Sequence, residues 1–504
     1  MALSWIDISL ATFGVGLLYK LATRRATAPP PPGPLGLPFV GNLLDMPNFK
    51  AWIRYAEWGD KYGDMCSVNV LGQQITIINS AKIAFDLLDK KSSIYSDRPV
   101  IPLGGEMIGW KDTLVLMPYG DRFRNFRRLA HSLFGSRSTM ASFEPLVEIE
   151  SHRFLKRVNK TPEDFQDHIG KTAGAIILRI SHGYNVKDEG EDAFVTLANT
   201  AMEQFAQATA PGLFLVNSIP LLRYVPSWFP GAGFQHTAQF YKETLMRMAD
   251  EPFEVVKQEL ANGTAQHSLL SGLLDGKNLD AREEFDVKWL AASLHSAGAD
   301  TTVSAIYAFF KAMILFPDCQ AKAQAEIDAV VGNDRLPGFA DKEHLPYTTA
   351  LALEVHRWHT VGPTGMPHRL VADDVHNGYL LPKGSLVLTN IWKMTHDPRV
   401  YTNPWTFNPE RFIATEGHQP EMDPRDLMFG FGRRICPGRV LADASVWMTA
   451  AMSLAVFNIG RHPEHPHIDL DVTSGTISHP SHFKCSIKPR SQRALDLILA
   501  DEKV

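Results

Sequence analysis

Between residues 121 and 358 the chain repeats apolar residues at helical spacing with almost no strand-like interruption. This constrains the fold more tightly than any other feature. The 3.6-residue period recurs over 121–134, 139–159, 162–181, 191–208, 234–260, 283–316, 318–331 and 347–358, after a shorter run at 80–90. Strand-like patterns are confined to the flanks. Met65 to Val70 and Gln74 to Ile78 surround Leu71-Gly72 and predict a hairpin. A second strand region is expected over 366–390, with turns at Asn377-Gly378 and Pro382-Lys383-Gly384, and a last hairpin at 468–489. The expected fold class is mainly α, one helical body with a small β-rich region fed from both ends. A length of 504 residues would on its own suggest about three domains, but the pattern offers no place to cut the body.

Composition supplies exclusions. Hydrophobic residues make up 45% and charged residues 21%, enough for a large core and unlike a disordered chain. The net charge of -5 gives no reason to expect a nucleic-acid partner. The four cysteines, Cys66, Cys319, Cys436 and Cys485, form no C-x-x-C pair, which excludes a zinc ribbon and argues against a disulfide framework. They suit a reducing compartment, where one thiol can stay free as a ligand.

Cys436 is that thiol. It ends the glycine-rich stretch Phe429-Gly430-Phe431-Gly432-Arg433-Arg434-Ile435, and Pro437-Gly438 leads on into an apolar helical pattern through Val440, Leu441, Ala444, Trp447 and Met448. A thiol just before a helix start is expected to ionise, because the helix dipole and the free N–H groups of the first turn favour a thiolate. Gly430, Gly432 and Gly438 let amides approach the sulfur and clear space for a flat ligand. Thiolate ligation of haem iron needs this arrangement. The plain alternative is a structural cysteine in a turn.

The run 283–316 contains Ala297-Gly298-Ala299-Asp300-Thr301-Thr302. A mid-helix glycine costs up to ~1 kcal/mol and the two threonines add a little more, so this stretch calls for a reason. Thr301 can hold a water in place and Asp300 can relay protons inward from solvent, as reduction of dioxygen requires. Gly298 would leave a notch where dioxygen and water fit. The alternative has Thr301 bonding back to a carbonyl and Asp300 facing water. Ser293, Ser296 and Ala297 share the face of Thr301 and are expected to line a pocket, whereas His295 is expected to pack. Further on come Glu354-Val355-His356-Arg357, with two charges on one helix face, and Asn408-Pro409-Glu410-Arg411-Phe412.

In this order these motifs resemble the cytochrome P-450 family of haem-thiolate monooxygenases over nearly the whole chain. The matching patterns are F-x-x-G-x-R-x-C-x-G, A-G-x-[DE]-T-[TS], E-x-x-R and P-E-R-F. The resemblance implies a helical prism with a β-rich side region and haem b as cofactor, with Cys436 as axial iron ligand and Phe429 beside it. It implies a buried triad of Glu354, Arg357 and Arg411, and haem propionates met by Arg127, Arg369 and Arg434. Phe123 stands where the family usually has Trp, which removes one propionate donor. It further implies a substrate pocket that includes Thr364, Gly365 and Thr476. Electrons would come from NADPH through a separate flavoprotein reductase docking on the basic residues of 122–128 with Arg433 and Arg439, and cytochrome b5 is a second donor the family allows. The wording of the chain is most similar to fungal microsomal members that tailor natural products, and the first expectation for a substrate is a lipophilic terpenoid.

Residues 1–23 are expected to form a membrane anchor: an apolar run with Asp7 as its only charge to Tyr19, followed by Lys20, Arg24 and Arg25 on the cytosolic side. Residues 24–38 read as a basic, proline-rich hinge and 39–504 as the catalytic domain, which places the protein in the endoplasmic reticulum membrane with that domain in the cytosol. A cleaved signal peptide is the rival reading. Two other functions compete with a monooxygenase. A haem-thiolate isomerase or dehydratase commonly lacks the acid–threonine pair, and a haem sensor or carrier would need neither anchor nor basic face.

Overall fold

The computed structural model describes residues 28–501 apart from 135–136 and 211. Among the described residues eleven helices have eight residues or more. They are α1 Ala51–Tyr62, α2 Asp121–Phe134, α3 Glu144–Lys160, α4 Phe165–His182, α5 Ala193–Thr209, α6 Gly233–Ala261, α7 Ala281–Leu315, α8 Pro317–Val330, α9 Pro346–Trp358, α10 Arg439–Val456 and α11 Gln492–Leu499. The long helices from α2 to α9 fall where the apolar period predicts. α1 was not foreseen: it is rich in Trp and Tyr, contains Gly59, and starts at a left-handed Lys50 without a side-chain cap, so neither propensity nor a capping signal announces it.

α7 is the axis of the molecule. Asp280 caps it by accepting from the N–H groups of Arg282 and Glu283, and Glu283 returns a bond to the Asp280 N–H. At its far end Pro317 opens α8, which turns away by 104°. α4, α5, α6 and α10 all pack against α7, so its apolar residues face inward on nearly every side. Phe309 and Phe310 are core, as their spacing suggests, and Tyr307 stacks on Phe483 at 4.5 Å between ring centres.

The sheet nearest the amino-terminal end runs in the order β1 Met65–Val70, β2 Gln73–Ile78, β6 Leu386–Thr389, β3 His368–Arg369. β1 and β2 form the expected hairpin, and β2 pairs parallel with β6. β4 Asp374–His376 and β5 Tyr379–Leu381 form a second hairpin whose turn places Asn377 and Gly378 at positive φ, as Asn-Gly predicts. The expected hairpin over 468–489 is corrected. β8 Cys485–Pro489 pairs instead with β7 Phe457–Arg461, and only an isolated bridge joins Val472 to Pro480.

Residues 1–23, the expected anchor, lie outside the described residues. The described part of the expected hinge does not stand clear of the domain. Pro31 and Pro32 carbonyls accept from the Ser67 hydroxyl and amide of β1, the Pro29 carbonyl accepts from the Leu380 amide, and a Cβ on Gly33 would collide with the Ser67 carbonyl. Among the described residues α10, and α7 taken with α8, are long and apolar enough to cross a membrane. Both are core elements, which explains their composition.

Candidate active site

The Cys436 loop joins a short turn, Gly432–Arg434, to the start of α10. The Cys436 amide donates to the Phe429 carbonyl at 2.7 Å and closes the loop. Gly430 and Gly432 have positive φ. At Gly432 a side chain is sterically excluded, since its Cβ would sit 2.0 Å from the Leu88 carbonyl oxygen, and the Gly432 amide donates to Asp89. The expectation of a thiolate made by the protein alone is corrected. Burial pushes the Cys436 thiol up, against the opposing pull of the Gly438 amide, Arg127 and Arg439. A coordinated cation deprotonates such a thiol outright.

Cys436 opens on a cavity of about 360 Å³. Phe429, Gly430 and Gly438 line it beside the sulfur, and Ala297, Gly298, Thr301, Thr302 and Ala305 of α7 line it as well. A Cβ on Gly438 would lie 4.0 Å from the sulfur, so it would fit the protein but stand in the slot beside the thiol.

Three guanidinium groups reach this cavity: Arg98, Arg127 and Arg434. Arg434 donates to the carbonyls of Ser96 (2.7 Å) and Met117 (2.8 Å) and lies 3.7 Å over the ring centre of Phe123. Arg98 donates to Val115, Met366 and Pro367 carbonyls, and Arg127 to the Ile435 carbonyl. Among the described residues no carboxylate forms an ion pair with any of the three. Burial, reinforced by Arg434, pulls Arg98 well below its ordinary value, and burial brings Arg434 down to about 10. Buried cations held only by carbonyl dipoles are costly until an anion joins them. A ligand bearing two carboxylates, as haem does, supplies that anion, so the residues present fit the group.

Arg369 is not one of these cations. It points to Asp97 at 2.5 Å and does not line the cavity, because its strand partner in the bridge Asp97↔Arg369 presents the carboxylate beside it. Its neighbour His368 does line the cavity, with Nδ1 2.7 Å from the Tyr95 carbonyl. Arg98 was missed by sequence reasoning. Nothing local separates it from a surface arginine, and only the pairing of its loop with β3 carries it inward.

Beneath the loop the expected triad is assembled. Arg357 donates to both Glu354 oxygens at 2.7 Å, and Arg411 Nε lies 3.1 Å from Glu354. All three are buried. Arg411 also pairs with Glu421 at 2.6 Å, a fourth member that no motif announced. Arg357 further donates to the carbonyls of Thr395 and Pro404, which ties α9 to the segment that leads into the cysteine loop.

On α7 the Thr301 hydroxyl donates to the Ala297 carbonyl at 2.8 Å while its side chain lines the cavity. Asp300 does not line the cavity and pairs with His479 at 3.0 Å. Gly298 lines the cavity, but a Cβ there would meet Ile177 at 2.8 Å, so close packing of α4 is a second reason for glycine. Ser293, Ser296, Ala297, Gly365 and Thr476 line the cavity as expected, and Thr364 does not. The serine hydroxyls are already engaged: Ser293 donates to Trp289 and accepts from the Leu114 amide, and Ser296 donates to Ser293. His295 packs, fully buried, as expected. His356 also lines the cavity, and burial pushes it down to about 4.

Comparison with known proteins agrees with this geometry. The family model for Cytochrome P450 matches residues 31–487. Cytochrome P450 monooxygenase 208 of Postia placenta is 50% identical over 500 residues, covering 98% of this chain and 97% of the relative. Cytochrome P450 monooxygenase claR of Ampulloclitocybe clavipes is 47% identical over 98% of this chain and 93% of its own length. O-methylsterigmatocystin oxidoreductase of Aspergillus flavus is 39% identical over the whole of this chain and 96% of its own length. With Cys436 and Thr301 on one cavity, a buried triad beneath the thiol loop and the family match, the chain belongs to the cytochrome P450 family and is a haem-dependent monooxygenase.

Proposed function

We propose that this monooxygenase inserts one oxygen atom into a C–H or C=C bond of a lipophilic natural product, a terpenoid in the first instance, using electrons passed from NADPH by a separate flavoprotein reductase. The observation that carries the reading is that Cys436 and Thr301 line the same apolar cavity. Haem bound through Cys436 supplies the dioxygen-activating chemistry of a thiolate-ligated iron. In this reading Cys436 would hold the haem iron through its sulfur, Arg98, Arg127 and Arg434 would meet the propionates, with His368 lining the same cavity, and Glu354, Arg357 and Arg411 lock the loop. Thr301 keeps a hydroxyl at the cavity wall, and Asp300, one residue back, holds the proton that follows. The retained acid–threonine pair favours dioxygen chemistry over an isomerase.

The wall supports a hydrocarbon-like substrate. The hydroxyls of Ser293, Ser296 and Thr301 spend their protons on helix carbonyls, so little is left to donate to a polar group. The fungal relatives, one named for O-methylsterigmatocystin, favour a natural product. A position on the endoplasmic reticulum membrane, with the catalytic domain cytosolic, is supported by exposed apolar side chains near the entry of the chain. Leu35 and Phe39 are more than nine-tenths exposed, and Leu221, Tyr224 and Trp228 are more than two-thirds exposed. The test is incubation of microsomes with reductase, NADPH, ¹⁸O₂ and sesquiterpene hydrocarbons. Product carrying one ¹⁸O atom, absent without NADPH, is expected. Turnover that needs no NADPH would contradict the reading.

A further inference from the structure

Asp300 needs a source of protons, and the fold supplies one from a distant part of the chain. Its carboxylate meets the imidazole of His479, Oδ1 to Nε2, at 3.0 Å, with both side chains about 25% exposed. His479 belongs to the segment 471–481, which shapes itself. The Thr473 amide donates to the His479 carbonyl at 2.8 Å, the His479 amide donates to Thr473 Oγ1 at 2.9 Å, and the Ser481 amide donates to the Asp471 carbonyl. The segment is also fastened to α7 one turn beyond Asp300, where Ser304 Oγ donates to the Ser478 carbonyl at 2.6 Å. Its tip, Thr476 and Ile477, is cavity wall. The imidazole is thus fixed against Asp300 on one side and partly open to solvent on the other.

We propose that His479 is the outer station of the proton path: it holds Asp300 through the ion pair and resupplies it with protons from solvent. In each transfer the imidazolium Nε2–H gives its proton to Asp300 Oδ1, and the neutral ring is reprotonated by hydronium or a buffer acid from solvent, which leaves water or the buffer's conjugate base. Only N–H and O–H bonds change, and no electron moves. His479 acts through Asp300 and is therefore a positioning residue, and the inference rests on the role given to Asp300 and Thr301 above.

Other charged groups face the same region. His359 is buried against the Ser478 carbonyl, and burial, with His479 second, pushes it down to about 3. Lys311 of α7 donates to the Asp471 carbonyl, and burial brings it down to about 8. Asp471 itself pairs with Lys50. Burial thus holds His359 neutral, and Lys311 reaches the Asp471 carbonyl rather than Asp300.

The test uses the full-length haem-loaded protein in microsomes with reductase, NADPH and 7-ethoxycoumarin as probe. Hydrogen peroxide released per NADPH oxidised is read from pH ~6 to ~8, across the imidazole range. In the parent, release is lowest at the acid end and climbs toward the alkaline end, because only a protonated ring can resupply Asp300. His479→Gln raises release roughly tenfold at the acid end, less than the ~10²-fold of a donor touching the reacting group, and flattens the profile. His479→Lys keeps the ion pair but titrates far higher, so it releases less peroxide than His479→Gln with an equally flat profile. The carbon monoxide difference spectrum, the Soret-shift titration with probe and the thermal midpoint stay at parent values in both. A parent-like profile in His479→Gln overturns the proposal, as does a loss of probe binding and thermal stability that tracks the peroxide. Asp300→Asn separates the two levels. If it leaves peroxide release unchanged, the relay itself is wrong; if it raises release while His479→Gln does not, only the role of His479 fails.

Discussion

Arg98 and Arg434 bury two positive charges that the polypeptide meets with carbonyl dipoles rather than an ion-paired carboxylate. Such a pair is stable only in company with an anion. Arg434 was legible in the sequence because it stands two residues before Cys436. Arg98 was not, because its address is tertiary. Arg369 was misjudged for the same reason, since the bridge that brings Arg98 inward also sets Asp97 against Arg369. At the cysteine, the sequence points to a thiolate from the helix start, whereas burial opposes it. Local dipoles can be read from sequence, but desolvation depends on what packs around the sulfur. We predict that Arg98→Leu and Arg434→Leu each weaken haem binding by roughly tenfold or more, since a charged hydrogen bond contributes ~1.5–3 kcal/mol. Haem titration into the extracted protein, followed at the Soret band, measures this. Parent affinity in both variants would contradict the assignment.

At the scale of elements, motif order was more informative than any single motif. Glu354 and Arg357 lie one helical turn apart, so the spacing alone showed that they could meet. That Arg411 would join them came from resemblance, and Glu421 came from neither, because nothing in its sequence surroundings marks it. The last strand pair shows the opposite failure. The sequence pattern suggested a local hairpin over 468–489, but β8 found its partner in β7, which the intervening loop leaves free to pair. The triad carries a clear expectation. Glu354→Gln leaves Arg357 and Arg411 buried with reduced compensation, which costs ~3–5 kcal/mol when a buried pair is broken. The variant is expected to accumulate poorly and to hold little haem, measured by the carbon monoxide difference spectrum per milligram of protein. Full haem content in Glu354→Gln would show that Glu421 suffices as counter-charge.

Across the whole molecule, burial holds several histidines neutral. It pushes His295 and His356 down to about 4, and His359 and His396 down to about 3. An unfolded histidine titrates near ~6.5. Below that pH the unfolded chain binds protons that the folded chain refuses, so stability falls as pH drops from ~6.5 toward ~4. Each such group adds a slope of up to ~1.4 kcal/mol per pH unit. Above pH ~6.5 these groups contribute no slope. Among the described residues neither ring nitrogen of His295 has a hydrogen-bond partner, so His295→Leu is expected to keep parent stability at pH 7 and lose part of the acid sensitivity. Thermal midpoints at pH 7 and pH 5 measure the difference, and an unchanged gap between them would contradict it.

The central claim concerns one sulfur. It is tested most directly by the spectrum of the dithionite-reduced protein with carbon monoxide, recorded beside Cys436→His. A strongly red-shifted Soret band in the parent that is lost in the variant is the predicted result. An unshifted, imidazole-type band in the parent, or a red-shifted band that survives in Cys436→His, would contradict it.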